Sequence, residues 1–135
     1  SWEHSLDMAD QDVSGHARIM LYRTGQWEFS GHLHNDGFSS KDVKVTCAIH
    51  LTNGKAVTFD VSGDANGTLA ALNSDKSFDW YQKGQNRDLK WAWQDGHLND
   101  DTRPQCELSV MVDTSDDVLG GALIVINVIR VILRI

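Results

Sequence analysis

Hydrophobic and polar residues alternate along most of the chain, and turn residues interrupt the alternation roughly every ten positions. The clearest run places Val43, Val45, Cys47, Ile49 and Leu51 in alternation with polar or small residues. A period of two is typical of a strand with one face in a core and the other in solvent. We therefore predict an all-β fold of about eight or nine short strands in one domain over 1–135, either an antiparallel two-sheet sandwich or a flattened barrel.

Two parts of the chain need separate treatment. Residues 1–15 show no clear period and are predicted to be an irregular lead-in segment, with a short edge strand as the alternative. Leu89, Trp91 and Trp93 alternate with Lys90, Ala92 and Gln94, which predicts a short strand. In that strand the two tryptophans would face the core.

The last fourteen residues, 122–135, form the most apolar segment, and eight of them are β-branched. Such side chains favour a strand over a helix. The helical alternative stays open because Asn127, Arg130 and Arg134 would lie on one helical stripe. Read as a strand, the segment is apolar on both faces until its arginines, so we predict that it is a central strand of a sheet.

The first predicted hairpin collects several functional side chains on one face. A turn at residues 23–25 would place Leu21 opposite Trp27 and His16 opposite His32, whereas a shift by two would place His16 opposite His34. In either register the outward face carries His16, Arg18, His32 and His34. The next hairpin is expected to bring Lys44 and Thr46 beside this face.

The candidate ligand-binding residues are His16, Arg18, His32 and His34 of this face and the outward-facing Tyr22 and Tyr81. Trp2 is a further candidate for an exposed aromatic that stacks on a ligand. The three histidines could bind a transition metal or line a polar ligand site. A solvated sheet face is the favoured alternative, because histidines two apart lack the spacing of a specific metal motif. The positive charges of Arg18 and Lys44 also disfavour a cation.

Acidic turns supply a second set of candidate residues. Asp60, Asp64 and Asn66 could offer oxygen ligands to calcium. They do not complete the spaced loop of a specific calcium motif, so ordinary polar turns are the favoured interpretation. No other cofactor is predicted.

Cys47 and Cys106 both fall on the inward face of predicted strands. A disulfide between them and two buried free thiols remain equal alternatives. The sequence shows no signal-peptide pattern, while Asn66-Gly67-Thr68 matches a glycosylation acceptor. Localisation therefore stays open, with an extracellular setting slightly favoured.

The formal net charge of −7 argues against nucleic-acid binding and against docking on a membrane by charge alone. No catalytic sequence motif is present. We therefore expect a non-catalytic binding module for carbohydrate or a protein surface.

Two alternatives remain. In the first, the protein is membrane-active or self-assembles into a homo-oligomer through the apolar segment 119–135. The contacts would then be made by Leu119, Ile124, Ile126 and Val128. In the second, it is a metal-dependent enzyme that uses the surface histidines.

Overall fold

The computed structural model describes residues 1–67, 76–112 and 126–130, the last five as backbone. Seven strands and one helix are described within the first two ranges, and 126–130 adds a further strand. In chain order these elements are β1 (Trp2–Asp10), β2 (Val13–Leu21), β3 (Gln26–Asn35), β4 (Lys41–His50), β5 (Ala56–Ala65), β6 (Ser77–Gln85), α1 (Arg87–Gln94), β7 (Pro104–Val112) and β8 (Ile126–Arg130).

The strands form two antiparallel sheets, which confirms the predicted all-β two-sheet sandwich. Sheet I has the order β1-β2-β3-β6, and sheet II has the order β7-β4-β5-β8. The chain crosses between the sheets after β3, where the buried Asn35 side chain donates to the backbone oxygens of Ser39 and Ala65 and accepts from the Gly37 N–H. This side chain replaces the backbone hydrogen bonds that the chain loses as it leaves one sheet for the other.

The inner faces of the two sheets meet in a single hydrophobic core. Phe59 of sheet II lies 5.6 Å, between ring centroids, from both Trp27 and Phe29 of sheet I. Phe29 and Phe59 are fully buried. Burying a side chain of this size contributes about 1.5–3 kcal/mol, so these rings form a large part of the contact that joins the sheets.

A disulfide joins Cys47 and Cys106. The two residues are direct cross-strand partners on β4 and β7, with Cα atoms 4.0 Å apart. Both cysteines lie on the inward faces that the alternation pattern predicts. Of the two predicted alternatives, the disulfide is confirmed and the pair of free thiols is not. The bond links two neighbouring strands within sheet II.

The prediction of an irregular segment over 1–15 was wrong, and its alternative, an edge strand, is confirmed. Residues 2–10 form β1, which pairs with β2 over its whole length. The missed signal is a period of two in Trp2, His4, Leu6 and Met8, of which Trp2 is buried and the others are half-buried. His4 belongs to this alternation, because an imidazole can occupy a half-buried position.

The strand predicted at 89–94 was also wrong, because this segment lies in the helix α1. Asn86 caps the helix, its side-chain oxygen accepting the Asp88 N–H at 2.8 Å. An asparagine cap followed by an acidic residue in the first turn is a sequence signal for a helix start. In the folded protein, the helical signal prevails over the alternation of these six residues.

The helix changes the environment of the predicted tryptophans. Leu89 and Ala92 are buried, and Trp93 packs against the core, since positions i, i+3 and i+4 share one helical face. Trp91 points away from the core and is 53% exposed, so its predicted burial was wrong. Within residues 1–67, 76–112 and 126–130, no helix has the length and apolar character needed to cross a lipid bilayer.

The C-terminal segment is extended at 126–130, as predicted, but among the described strands it does not have the predicted central position. Among the described strands β8 pairs with β5 alone and ends the order of sheet II, whereas β4 has neighbours on both sides. A strand with apolar residues on both faces needs other elements packed above and below it. Whether it is central or at the edge of its sheet depends instead on how many neighbouring strands it hydrogen-bonds to. The alternation pattern therefore could not determine that place. The other predicted residues of this segment, 122–125 and 131–135, lie outside the described residues.

Candidate ligand-binding face

The outer face of sheet I carries most of the predicted ligand-binding residues. The strand register sorts its side chains into rows that run across all four strands. Three adjacent rows are Glu3–Met20–Glu28–Lys83, Ser5–Arg18–Ser30–Tyr81 and Asp7–His16–His32–Asp79. We call this surface the open face. This face has two shallow concavities. One lies around Tyr22 and Glu28, the other lies around His16 and His32, and Tyr81 lines both.

The register of the first hairpin is set by its turn. Leu21 pairs with Trp27 and His16 pairs with His32, which confirms the first of the two predicted registers. Gly25 adopts a φ of +90°, a conformation that side chains other than glycine rarely tolerate. Its carbonyl also accepts the Asn86 N–H at 2.9 Å, so the turn is tied to the end of β6.

Two tyrosines converge on one carboxylate at one end of the open face. The Tyr22 hydroxyl donates to Glu28 Oε2 at 2.6 Å, and the Tyr81 hydroxyl donates to Glu28 Oε1. These bonds favour the ionised carboxylate, so the Tyr22 and Tyr81 hydroxyls lower the pKa of Glu28. The same contacts raise the pKa of Tyr22 and of Tyr81. The ring of Tyr81 is therefore held in place by its hydroxyl while the residue remains 61% exposed.

Arg18 is held by a partner that the sequence analysis did not identify. Its Nε lies 2.6 Å from Glu3 Oε1, a contact that raises the pKa of the guanidinium. Glu3 lies on β1, the segment predicted to be irregular. The side chain of Arg18 is thus directed toward β1 and away from the histidines of β3.

The histidines separate into two groups. His16 and His32 are direct neighbours across β2 and β3, with ring centroids 6.3 Å apart. His32 Nδ1 lies 2.5 Å from Asp79 Oδ1. His34 belongs to the next row, where Nε2 contacts Asp36 Oδ1 at 3.0 Å and Nδ1 lies 3.1 Å from the Ser77 hydroxyl.

Lys44 and Thr46 are not beside this face, so that expectation was wrong. Both lie on β4, in sheet II, whereas the neighbour of β3 is β6. The chain leaves sheet I after β3 and returns for β6. The prediction assumed that β4, the next strand in the chain, lies beside the histidines of β3, whereas that position is taken by β6.

The candidate calcium ligands do not converge. Asp60 and Asp64 lie on the same strand four residues apart, which corresponds to about 13 Å. Asn66 follows the strand, and its side-chain oxygen accepts the Ser40 hydroxyl at 3.4 Å. Within residues 1–67 and 76–111, no three His, Cys, Asp or Glu side chains form a group that could hold a metal ion.

The residues of the membrane alternative are placed only in part. Ile126 and Val128 belong to β8, and their backbones pair with Ser62 and Asp60 of β5. Leu119 and Ile124 lie outside the described residues. This alternative therefore stays a prediction.

Sequence reasoning missed four carboxylates in the rows of the open face: Glu3, Asp7, Glu28 and Asp79. Glu28 and Asp79 were visible as outward residues on their own predicted strands, but their partners lie on another strand. Glu3 and Asp7 fall in the segment predicted to be irregular. Glu28 and Tyr81 are 53 residues apart, and His32 and Asp79 are 47 apart. The pairing of β3 with β6 is the missing piece of information. Trp2, considered as an exposed aromatic, is instead buried and donates to the Thr102 oxygen.

Comparison of the chain with protein-family models, with curated proteins and with solved structures finds no significant match in any of the three.

Proposed function

We propose that the protein is a non-catalytic binding module that recognises carbohydrate through the open face of sheet I. The observation that carries this proposal is the pair of tyrosines fixed on Glu28, one of which presents an exposed ring. A tyrosine ring offers a flat apolar surface to the C–H groups of a sugar ring, while its hydroxyl, which donates to Glu28, can still accept a hydrogen bond. A ring that is already oriented loses little side-chain entropy when a ligand binds.

The surroundings of Tyr81 supply the polar part of such a site. Ser30 and Arg18 occupy the same row, and Lys83 lies opposite Glu28. Hydroxyl, guanidinium, ammonium and carboxylate groups can donate to or accept from sugar hydroxyls. The shallow surface suits a chain that lies across the strands better than a small molecule that must be enclosed.

A glycan array followed by titration calorimetry tests the proposal. We expect the wild-type protein to bind at least one glycan, and Tyr81→Ala to weaken that binding by tenfold or more. Trp91→Ala is the matched control, because Trp91 is also an exposed aromatic but lies on α1, away from the open face. Its affinity should equal that of the wild type.

The same experiment can contradict the proposal in two ways. Equal losses in the two variants would show that the ligand does not use the open face. An absence of glycan binding, with capture of a protein ligand that Tyr81→Ala abolishes, would assign the face to a protein partner instead. Circular dichroism of each variant establishes that the fold is retained.

A further inference from the structure

We infer that His16 and His32 form a chelating site for a divalent transition-metal ion of the copper and zinc type, on the open face. The two imidazoles are direct partners across β2 and β3, with ring centroids 6.3 Å apart and planes inclined by 36°. His16 is exposed and His32 is half-buried, so an ion can reach both rings. This site does not depend on the proposed carbohydrate function.

The distance between the rings suits a shared ion. Metal–nitrogen bonds to histidine are about 2.0–2.1 Å long, so two imidazoles on one ion have ring centroids roughly 5–6 Å apart. A small rotation about the side-chain torsions would close the remaining gap. The strand pairing fixes the two Cα positions, so little conformational entropy is lost when the ion binds.

Asp79 gives His32 the state that a metal ligand needs. A carboxylate can only accept hydrogen bonds, so the 2.5 Å contact with Asp79 places the proton of neutral His32 on Nδ1. The lone pair is then on Nε2, the other ring nitrogen. A carboxylate that orients a ligating histidine in this way is a common partner in metal sites and raises the basicity of the ligand.

The local charge also favours a cation. Asp7 lies directly opposite His16 on β1, so the row carries a carboxylate at each end. Of the two positive residues that argued against a metal, only Arg18 lies near the two histidines, in the adjacent row. Arg18 is paired with Glu3 at 2.6 Å, and Lys44 lies in sheet II.

The site provides two protein nitrogens, and water would complete the coordination. Borderline ions such as Cu²⁺, Ni²⁺ and Zn²⁺ accept imidazole nitrogen readily, and Cu²⁺ is expected to bind most tightly of the three. Mg²⁺ and Ca²⁺ prefer oxygen ligands and should not compete.

Titration calorimetry of the untagged protein with Cu²⁺ and with Zn²⁺ tests the inference. We expect one site, with His16→Ala lowering the affinity at least tenfold. Asp79→Asn should lower it by roughly ten- to a hundredfold, as for other second partners of ligating histidines. His34→Ala is the matched control, because His34 lies in the next row on its own partners, and it should bind as the wild type does.

A second measurement keeps the inference testable if a variant fails to fold. Zinc added to the wild-type protein should shift the imidazole resonances of His16 and His32 in NMR spectra and leave those of His34 and His50 unchanged. The inference is overturned if wild-type protein binds neither ion, if His34→Ala loses as much affinity as His16→Ala, or if the shifted resonances belong to other histidines.

Discussion

The outer faces of the two sheets come from the same alternating pattern but differ in what they present. The three central rows of the open face contain Tyr81, two histidines and several charged residues that pair with one another across strands. The corresponding rows on β7, β4 and β5 of sheet II contain no aromatic side chain, and five of their nine residues are Ser, Thr or Ala. A period of two shows whether a residue lies on the inner or the outer face of its sheet. The pairing between strands determines which of the two outer faces forms a candidate site.

The difference matters because exposed side chains are useful for recognition only when something holds them in place. On the open face, Glu28 holds two tyrosines, Glu3 holds Arg18, and Asp79 holds His32. Single exposed pairs of this kind contribute little to stability. Their contribution is orientation, so variants on this face should affect binding far more than folding.

The largest expected effect concerns the core that the two sheets share. Phe59→Ala removes the ring that contacts Trp27 and Phe29, so we expect a loss of about 3–5 kcal/mol in the free energy of unfolding. Urea denaturation should show one transition by tryptophan fluorescence and by circular dichroism, because both sheets rest on this core. Phe38→Ala, at a residue that is 72% exposed, should change the stability by less than about 0.5 kcal/mol. Separate transitions for the two probes would mean that the sheets unfold independently.

The next largest expected effect concerns the disulfide within sheet II. Replacing Cys47 and Cys106 together by alanine removes a bond that spans 59 residues of sequence. We expect a loss of roughly 2–4 kcal/mol, chiefly because the unfolded chain gains conformational freedom. The bond lies in sheet II, so the folded double variant should keep the metal and ligand affinities of the open face. A folded variant that has lost those affinities would show that the two outer faces are not independent.

Particular residues show which features of the fold and of the candidate site could be predicted from the sequence. The alternation over 43–51, the turn at Gly25 and the pairing of His16 with His32 were predicted, because each depends on contacts between neighbours in sequence. The partners of His32 and Tyr81 were not, because β3 and β6 meet only after the chain has visited the other sheet. Helix α1 was missed for a different reason, since its capping signal at Asn86 was present but the prediction followed the alternation over 89–94 instead.

A smaller effect is expected at Gln82, an inner position of sheet I. Gln82 pairs with the fully buried Phe29, and within the described residues neither polar atom of its side-chain amide has a hydrogen-bond partner. An unpaired buried polar group costs about 1–3 kcal/mol. Gln82→Met keeps the length of the side chain and removes that cost, so we expect the free energy of unfolding to rise by about 1 kcal/mol. A loss of stability in urea denaturation would show that the amide has a partner, such as an ordered water.

The smallest effect on stability, and the most specific to the open face, is the pH dependence at Glu28. The Tyr22 and Tyr81 hydroxyls lower the pKa of Glu28 in the folded protein below its ordinary value of 4.5. A carboxyl group with a lowered pKa in the folded state stabilises the protein above the pKa of the unfolded state, and this contribution is lost as the pH falls through the folded value. Wild-type protein should therefore have a higher Tm than Glu28→Gln at pH 7, and the difference should shrink as the pH falls below 4.5.

The matched control for this prediction is Glu107→Gln, the same change on the outer face of sheet II. At pH 7 we expect it to change the stability by less than about 0.5 kcal/mol. If the Tm difference between wild type and Glu28→Gln were the same at pH 3 and pH 7, the hydroxyl contacts would not favour the ionised carboxylate. The tyrosines would then be held by packing alone, and the open face would lose the feature that distinguishes it from sheet II. Convergence of the two Tm values in acid, with reduced glycan binding by Glu28→Gln at pH 7, would instead tie the orientation of the tyrosine rings to this one carboxylate.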